Sequence, residues 1–79
     1  MLHGSREAVL RKVQPISIHG QISLDVHYVD PDDETEQVRV ARIGPEAMAR
    51  GLEAGDRVIL DFVLGVVTNV KRAPRESGA

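Results

Sequence analysis

The sequence predicts an all-β domain with one short helix, in the form of a small five-stranded barrel. Apolar and polar residues alternate over residues 57–64 and again over 21–29, and this period of two sends alternate side chains to opposite faces of a strand. Residues 45–50 instead have the marks of a short helix, because Pro45 suits a first helical turn and Gly51 suits a helix end. The resulting order of three strands, one helix and two strands favours a barrel.

The length of 79 residues predicts one domain, in which folding buries about 60% of the surface of the unfolded chain. We expect a flexible N-terminus over residues 1–7, the barrel domain over 8–72 and a disordered tail over 73–79. A core of this size supplies little stability, and the sequence has no cysteine for a disulfide. Self-association is one way for such a chain to gain stability.

The first two strands are predicted on either side of a turn at His19 and Gly20. The first strand begins at Ala8, and Pro15 marks an edge, a bulge or a break in it, because proline cannot donate a ladder hydrogen bond. The second strand spans residues 21–29 and has one apolar and one polar face. Its inward residues are Ile22, Leu24, Val26 and Tyr28.

A third strand is predicted over residues 37–43, with Val38 and Val40 facing the core. Beyond Val40 the apolar phase slips, because Arg42 falls where an apolar side chain is due. This slip indicates a β-bulge near Ala41 and Arg42.

The centre of the core is predicted from the strand over residues 57–64, which holds the only phenylalanine of the chain. Met48 and Leu52 in the preceding helical segment are four residues apart and should face the same core. The inward residues of the strand are Val58, Leu60, Phe62 and Leu64.

Gly65 separates the last two strands and allows two interpretations. It is either the first central residue of a type II′ hairpin or a kink in one long strand. The last strand, up to Arg72, has Val66 and Val70 on its inward phase.

Residues 37–70, which read QVRVARIGPEAMARGLEAGDRVILDFVLGVVTNV, resemble the second half of bacterial translation initiation factor one and related OB proteins. The similarity lies in the alternating strand, the short helix with Met48, the turn at Gly55 and Asp56, and a last strand opened by Gly65. The resemblance implies an OB-like barrel and binding of RNA or single-stranded DNA.

The same residues are also similar to the swapped-hairpin (AbrB-like) family of bacterial regulators. This second resemblance implies an intertwined dimer that binds DNA through basic strands, although that shorter fold does not need the strand pair predicted over residues 8–29. An SH3-like barrel is the third architecture that the strand order allows.

Six basic residues are candidates for nucleic-acid contact, although the formal net charge is −2. Base stacking needs exposed aromatic rings, and the two aromatic residues of the chain, Tyr28 and Phe62, fall on inward phases. Phosphate contact alone would be weak and sensitive to salt. The candidates are Arg11, Lys12, Arg39, Arg42, Lys71 and Arg72.

Only His19, Asp25 and His27 form a candidate metal or acid–base site. Asp25 and His27 point the same way from one strand, but a metal usually needs three or four convergent ligands. The acidic stretch 30–36 lacks the central glycine and distal glutamate of an EF-hand, which favours a solvated loop. The sequence shows no nucleophile motif, phosphate loop or thiol, so we expect no enzyme activity, metal, cofactor or small-molecule substrate.

Protein contact is the function that these observations leave. Ile59, Val63 and Val67 fall on the outward phase of the last two strands, where three β-branched residues indicate a covered surface. We expect a non-enzymatic module that binds a protein or a second copy of itself, with RNA or single-stranded DNA binding and a dimeric DNA-binding regulator as the alternatives. The sequence shows neither a membrane span nor a signal peptide, and we expect a cytoplasmic protein without membrane contact.

Overall fold

Five strands form one antiparallel sheet in the computed structural model, which describes residues 3–74. The elements are β1 (His3–Ile18), β2 (Gln21–Val29), β3 (Arg39–Ile43), a short 3₁₀ helix (Pro45–Ala47), β4 (Arg57–Val63) and β5 (Val66–Arg72). The strands pair in the order β3-β2-β1-β4-β5, and β3 and β5 approach each other, so the sheet curls into a small barrel-like fold. The predicted all-β class with one short helix is confirmed.

β1 is the central strand, and it begins at His3 where the sequence predicted Ala8. Its first half pairs with β4, from His3 opposite Val63 to Val9 opposite Arg57. Its second half pairs with β2 and ends at Ile18. Met1, Leu2 and residues 75–79 lie outside the described residues, so predictions for these ends stay predictions.

A β-bulge at Arg11 separates the two halves of β1. The register with β2 shifts between Leu10 and Lys12, whereas Pro15 lies opposite Leu24 in a continuous ladder. Of the three alternatives predicted for Pro15, the edge is the one observed, because β4 does not reach this part of β1, whereas the bulge lies four residues earlier, at Arg11. The bulge lets β1 leave β4 and continue as a partner of β2 alone.

The phase predicted for β3 is wrong. Leu24 lies opposite Ile43 and Val26 opposite Ala41, so the odd-numbered residues of β3 face the core. Val38 and Val40 are 50% and 54% exposed, and the β2–β3 register is continuous where a bulge near Ala41 and Arg42 was predicted. The buried Ile43 supplies the core contact that Val38 and Val40 were expected to make.

The core lies between the inward faces of all five strands. Val58 and Leu60 are fully buried as predicted, and Phe62 packs against them from a partly buried position, but Leu64 is 71% exposed. Met48 and Leu52 also pack against this core, as predicted, although the helical segment is only the 3₁₀ helix. The buried cluster consists of Ala8, Leu10, Val26, Ile43, Val58, Leu60, Val67 and Val70.

A second bulge changes the phase of β5. Asp61 lies opposite Asn69 and Phe62 opposite Val67, so Thr68 is the extra residue. Because of this extra residue, Val67 joins Val70 in the core, while Val66 is 62% exposed. The outward position predicted for Val67 and the inward position predicted for Val66 are both wrong.

β4 and β5 form a hairpin, so Gly65 is a turn residue and not a kink. Leu64 and Gly65 both have positive φ, of 54° and 80°. Positive φ at both central residues is the pattern of a type I′ turn, not of the predicted type II′ turn. Leu64 therefore occupies a backbone conformation that L-residues with a large side chain rarely adopt.

Candidate functional site

The end of the β1–β2 hairpin extends past the neighbouring strands, and we name residues 14–23 the β1–β2 arm. β4 pairs with β1 only as far as Val9, and β3 pairs with β2 only from Leu24 onward. The arm is therefore a two-stranded ribbon, an arrangement that is marginally stable in water without further cover. Its predicted turn is confirmed, with His19 and Gly20 at φ 51° and 79°.

The arm exposes isoleucine side chains. Ile22 is 54% exposed, Ile18 is 37% exposed and Ile16 is half-buried. Alternation places Ile22 on the face that continues the barrel core, beside the pair Pro15–Leu24. Ile16 and Ile18 lie on the opposite face. Ile22 was predicted to be a core residue, but it lies beyond the end of the core.

The arm carries no formal charge. All ten basic and twelve acidic residues of the chain lie outside residues 13–24. Exposed strand edges in natural proteins are usually protected by charged side chains, by proline or by cover from other elements. Of these devices, the arm has only Pro15.

The open edge of β1 in the arm offers few backbone donors. Because the pair Ile18–Gln21 closes a two-residue hairpin, alternate residues of β1 turn their backbone groups away from β2. These residues are Val13, Pro15 and Ser17, and Pro15 has no N–H to donate. A strand added along this edge would lose its central hydrogen bonds, so the side-chain faces of the arm are better suited to contact than the edge of β1.

Four of the six basic residues predicted to contact nucleic acid are engaged in ion pairs. Arg42 donates from Nε to Asp25 Oδ1 at 2.8 Å and from Nη2 to Asp25 Oδ2 at 3.3 Å. The other pairs are Arg11 with Glu36, Lys71 Nζ with Asp61 Oδ2 at 3.7 Å, and Arg72 Nη1 with Asp56 Oδ2 at 3.4 Å. Each pair places a carboxylate beside a cation that phosphate contact would use, and a phosphate would have to compete with that carboxylate.

The remaining two basic candidates lie at different positions of the sheet. Lys12 is on β1, where it lies opposite His27 of β2 on the outer face of the sheet. Arg39 is on β3, where it lies opposite Tyr28 of β2 on the core side. Tyr28 packs against the buried cluster, as does Phe62. Both rings are therefore partly buried against the core, on the inward face that the sequence predicted. Base stacking would need a ring that projects into solvent, and neither ring does so.

Only two of the three predicted interface residues share a surface, the outer face of β4. Ile59 lies on the outer face between Glu7 and Lys71, and Val63 lies at the end of β4 opposite Val66. Val67 is 8% exposed inside the core. The exposed apolar residues that sequence reasoning missed lie in three places: the arm, the β4–β5 turn with Leu64 and Val66, and the start of β3 with Val38 and Val40.

The three candidate metal ligands are not brought together. Asp25 is held by Arg42, and this hydrogen bond lowers the pKa of the Asp25 carboxyl. His19 lies in the turn of the arm, whereas His27 is in the part of β2 that pairs with β3. Among residues 3–74, no three histidine, cysteine, aspartate or glutamate side chains are grouped as a metal site.

His27 has one unusual feature. Its Nε2 atom is buried and finds no hydrogen-bond partner among the described residues. Across the sheet it lies between Lys12 and Val40. A buried nitrogen of this kind lowers stability, because it has lost its hydrogen bonds to water.

The acidic loop between β2 and β3 borders a surface groove of about 530 Å³. Val9 and Val29 form part of its apolar lining, and the ion pair of Arg11 with Glu36 lies at its side. The loop is built from local turns, with the Asp32 N–H donating to Asp30 Oδ1 at 2.9 Å. The groove has no buried charged group that would fix a small molecule, which leaves the arm as the stronger candidate site.

No family model, curated protein or solved structure matches this chain. In the part of the chain that the structure describes, no helix has the length and apolar character needed to cross a membrane.

Proposed function

We propose that this chain is a non-enzymatic β-barrel module that acts through protein–protein contact, with the β1–β2 arm as its contact surface. The observation that carries the proposal is the exposure of Ile18 and Ile22 on an uncharged ribbon outside the barrel. Contiguous exposed apolar surface, such as that of Ile22 beside the pair Pro15–Leu24, is typical of interaction sites, whereas single exposed apolar residues are ordinary.

The strand order supports an OB-type barrel as the finer description of the fold. β1 pairs with both β2 and β4, and the short helix lies between β3 and β4. In OB folds the β1–β2 loop is one of the loops that contact ligands. The arm occupies that position and carries isoleucine where nucleic-acid contact would favour basic and aromatic residues.

Position-specific photo-crosslinking tests this proposal. A benzophenone amino acid replaces Ile22 in one variant and Val40 in the other, since both residues are 54% exposed in the native chain. We expect protein adducts in cells from position 22 and few from position 40. Equal yields from the two positions would contradict the proposal.

Fluorescence anisotropy with short single-stranded DNA and RNA tests the nucleic-acid alternative. Tight binding that is weakened by Lys12→Ala and unchanged by Ile22→Thr would contradict the protein-contact proposal. It would support nucleic-acid binding through phosphate contact instead. We expect neither nucleic acid to bind at moderate salt, because four of the six candidate cations are held in ion pairs.

A further inference from the structure

We propose that the partner of the β1–β2 arm is a second copy of this chain, and that two arms pack together through the faces that carry Ile22. This inference rests on the proposed function, because it names the partner of the same contact surface. The contact is isologous, so the two copies are related by a two-fold axis and each arm presents the same residues.

The absence of charge from the arm points to a second copy. In an isologous contact a surface meets itself, so any charged group near the axis faces its own copy and repels it. Residues 13–24 contain none of the 12 acidic or 10 basic residues of the chain. By contrast, the outer faces of β4 and β5 carry the charged groups Asp61 and Lys71, which a dimer contact there would remove from water.

The face with Ile22 is better suited to this contact than the opposite face. Ile22 lies beside Ser17, and Pro15 lies beside Leu24, so this face is mostly apolar and continues from the barrel core. The opposite face alternates Ile16 and Ile18 with polar neighbours, the nearest being Gln14, Gln21 and Ser23. Apolar contact therefore buries the most surface when the two Ile22 faces meet.

The geometry of the arm also disfavours strand addition along the open edge of β1. Pro15 interrupts the donors along the open edge of β1, so two copies cannot join by a continuous ladder centred on that strand. Contact through side-chain faces does not need those donors.

The size of the arm sets the strength of the contact. One face of the arm supplies fewer than its ten residues, against the roughly 20–30 residues that each partner supplies to a standard interface. We therefore expect a reversible dimer with a dissociation constant in the micromolar range.

Sedimentation equilibrium over a concentration series tests the inference on the full chain. The wild type is compared with Ile22→Thr, which keeps a β-branched side chain, and with Val40→Thr, the same change in character at a position of equal exposure. We expect the wild type and Val40→Thr to dimerise alike and Ile22→Thr to dimerise about tenfold more weakly. Circular dichroism establishes that both variants are folded.

Isotope-filtered NMR on a mixture of labelled and unlabelled protein gives an independent measurement. Contacts between the Ile22 methyl groups of one copy and the arm of the other are expected. A monomer at all concentrations would overturn the inference, as would equal effects of Ile22→Thr and Val40→Thr.

The two proposals fail in different ways. If the chain is monomeric while position 22 crosslinks a different protein, the proposal of a dimer is wrong and the proposed protein-contact function stands. If position 22 yields no more adducts than position 40 and the chain is monomeric, both proposals are wrong.

Discussion

The Ser5 hydroxyl on β1 donates a hydrogen bond to Asp61 Oδ1 on β4 at 2.8 Å, across 56 residues of sequence. Asn69 Nδ2 on β5 donates to the other carboxylate oxygen at 3.2 Å, and Lys71 Nζ lies 3.7 Å from it. Asp61 therefore connects three neighbouring strands on the outer face of the sheet. The carboxylate faces outward, as alternation predicts, while Leu60 beside it is fully buried.

The Ser5 contact makes part of the stability dependent on pH. The hydrogen bond from Ser5 is the largest cause that lowers the pKa of Asp61 below its ordinary 3.8, with Asn69 and Lys71 adding to it. A lowered folded-state pKa contributes stability above the unfolded pKa, and this contribution is lost as the pH falls through the folded pKa. The relevant window therefore lies below pH 3.8.

Ser5→Ala is expected to raise the pKa of Asp61 toward its ordinary value and to lower stability at neutral pH. The variant should also lose less stability on acidification than the wild type. NMR titration of the Asp61 carboxyl and urea unfolding at neutral and acidic pH measure both effects. Ser23→Ala, on the face of the arm opposite Ile22, is the control, and an Asp61 pKa that moves equally in both variants would contradict the assignment.

Most of the strand positions could be predicted from the sequence, because alternation needs only the identities of neighbouring residues. The predicted bounds of the second strand match β2, and Val58 and Leu60 are buried as expected. The N-terminal extension of β1 was missed because residues 3–7 are polar or small and show no alternation. Their pairing with β4 is a long-range contact without a local sequence signal.

The two bulges account for the misplaced irregularity in β1 and for the error of phase in β5. Arginine and threonine are both common in regular strands, so the residue types at positions 11 and 68 do not indicate a bulge. Once Thr68 is inserted, the residue that follows Val66 turns into the core. Val67 is therefore lost from the predicted interface, because uninterrupted alternation places it on the outer face and the bulge turns it into the core.

The exposure of the arm could not be predicted from its pattern. Ile22 alternates with polar residues just as Leu24 and Val26 do, and only the ends of β3 and β4 leave it uncovered. The absence of charge over residues 13–24, however, is visible in the sequence. It is the signal by which sequence reasoning could have found this surface.

Leu64→Asn is expected to stabilise the protein relative to Leu64→Ala by about 1 kcal/mol, because alanine in the left-handed region costs roughly 1–2 kcal/mol and asparagine adopts it more readily. Leu64 has φ 54° and is 71% exposed, so neither change removes core packing. Urea denaturation of the two variants measures the difference. An asparagine variant no more stable than the alanine variant would show that the turn does not strain residue 64.

His27→Val is expected to raise the free energy of unfolding by about 1 kcal/mol, because it removes a buried nitrogen that has no hydrogen-bond partner. Valine also suits the half-buried surface of a strand. His3→Val, at the exposed start of β1, is the matched control and should change stability by less than about 0.5 kcal/mol. The reverse order of the two variants in thermal or urea unfolding would show that His27 contributes a stabilising interaction.

Pro15→Val is expected to promote association beyond a dimer. The substitution supplies the missing N–H on the open edge of β1, where Val13 and Ser17 already turn their backbone groups outward. A continuous, uncharged strand edge is a template for the addition of further strands.

Light scattering over a series of protein concentrations measures this effect. Pro31→Val, in the acidic loop, is the control because it replaces a proline outside the sheet. We expect the scattering of Pro15→Val to grow with concentration and to persist when Ile22→Thr is added, since strand addition uses the backbone edge and not the Ile22 face. Equal scattering of the Pro15 and Pro31 variants would show that proline does not protect this edge.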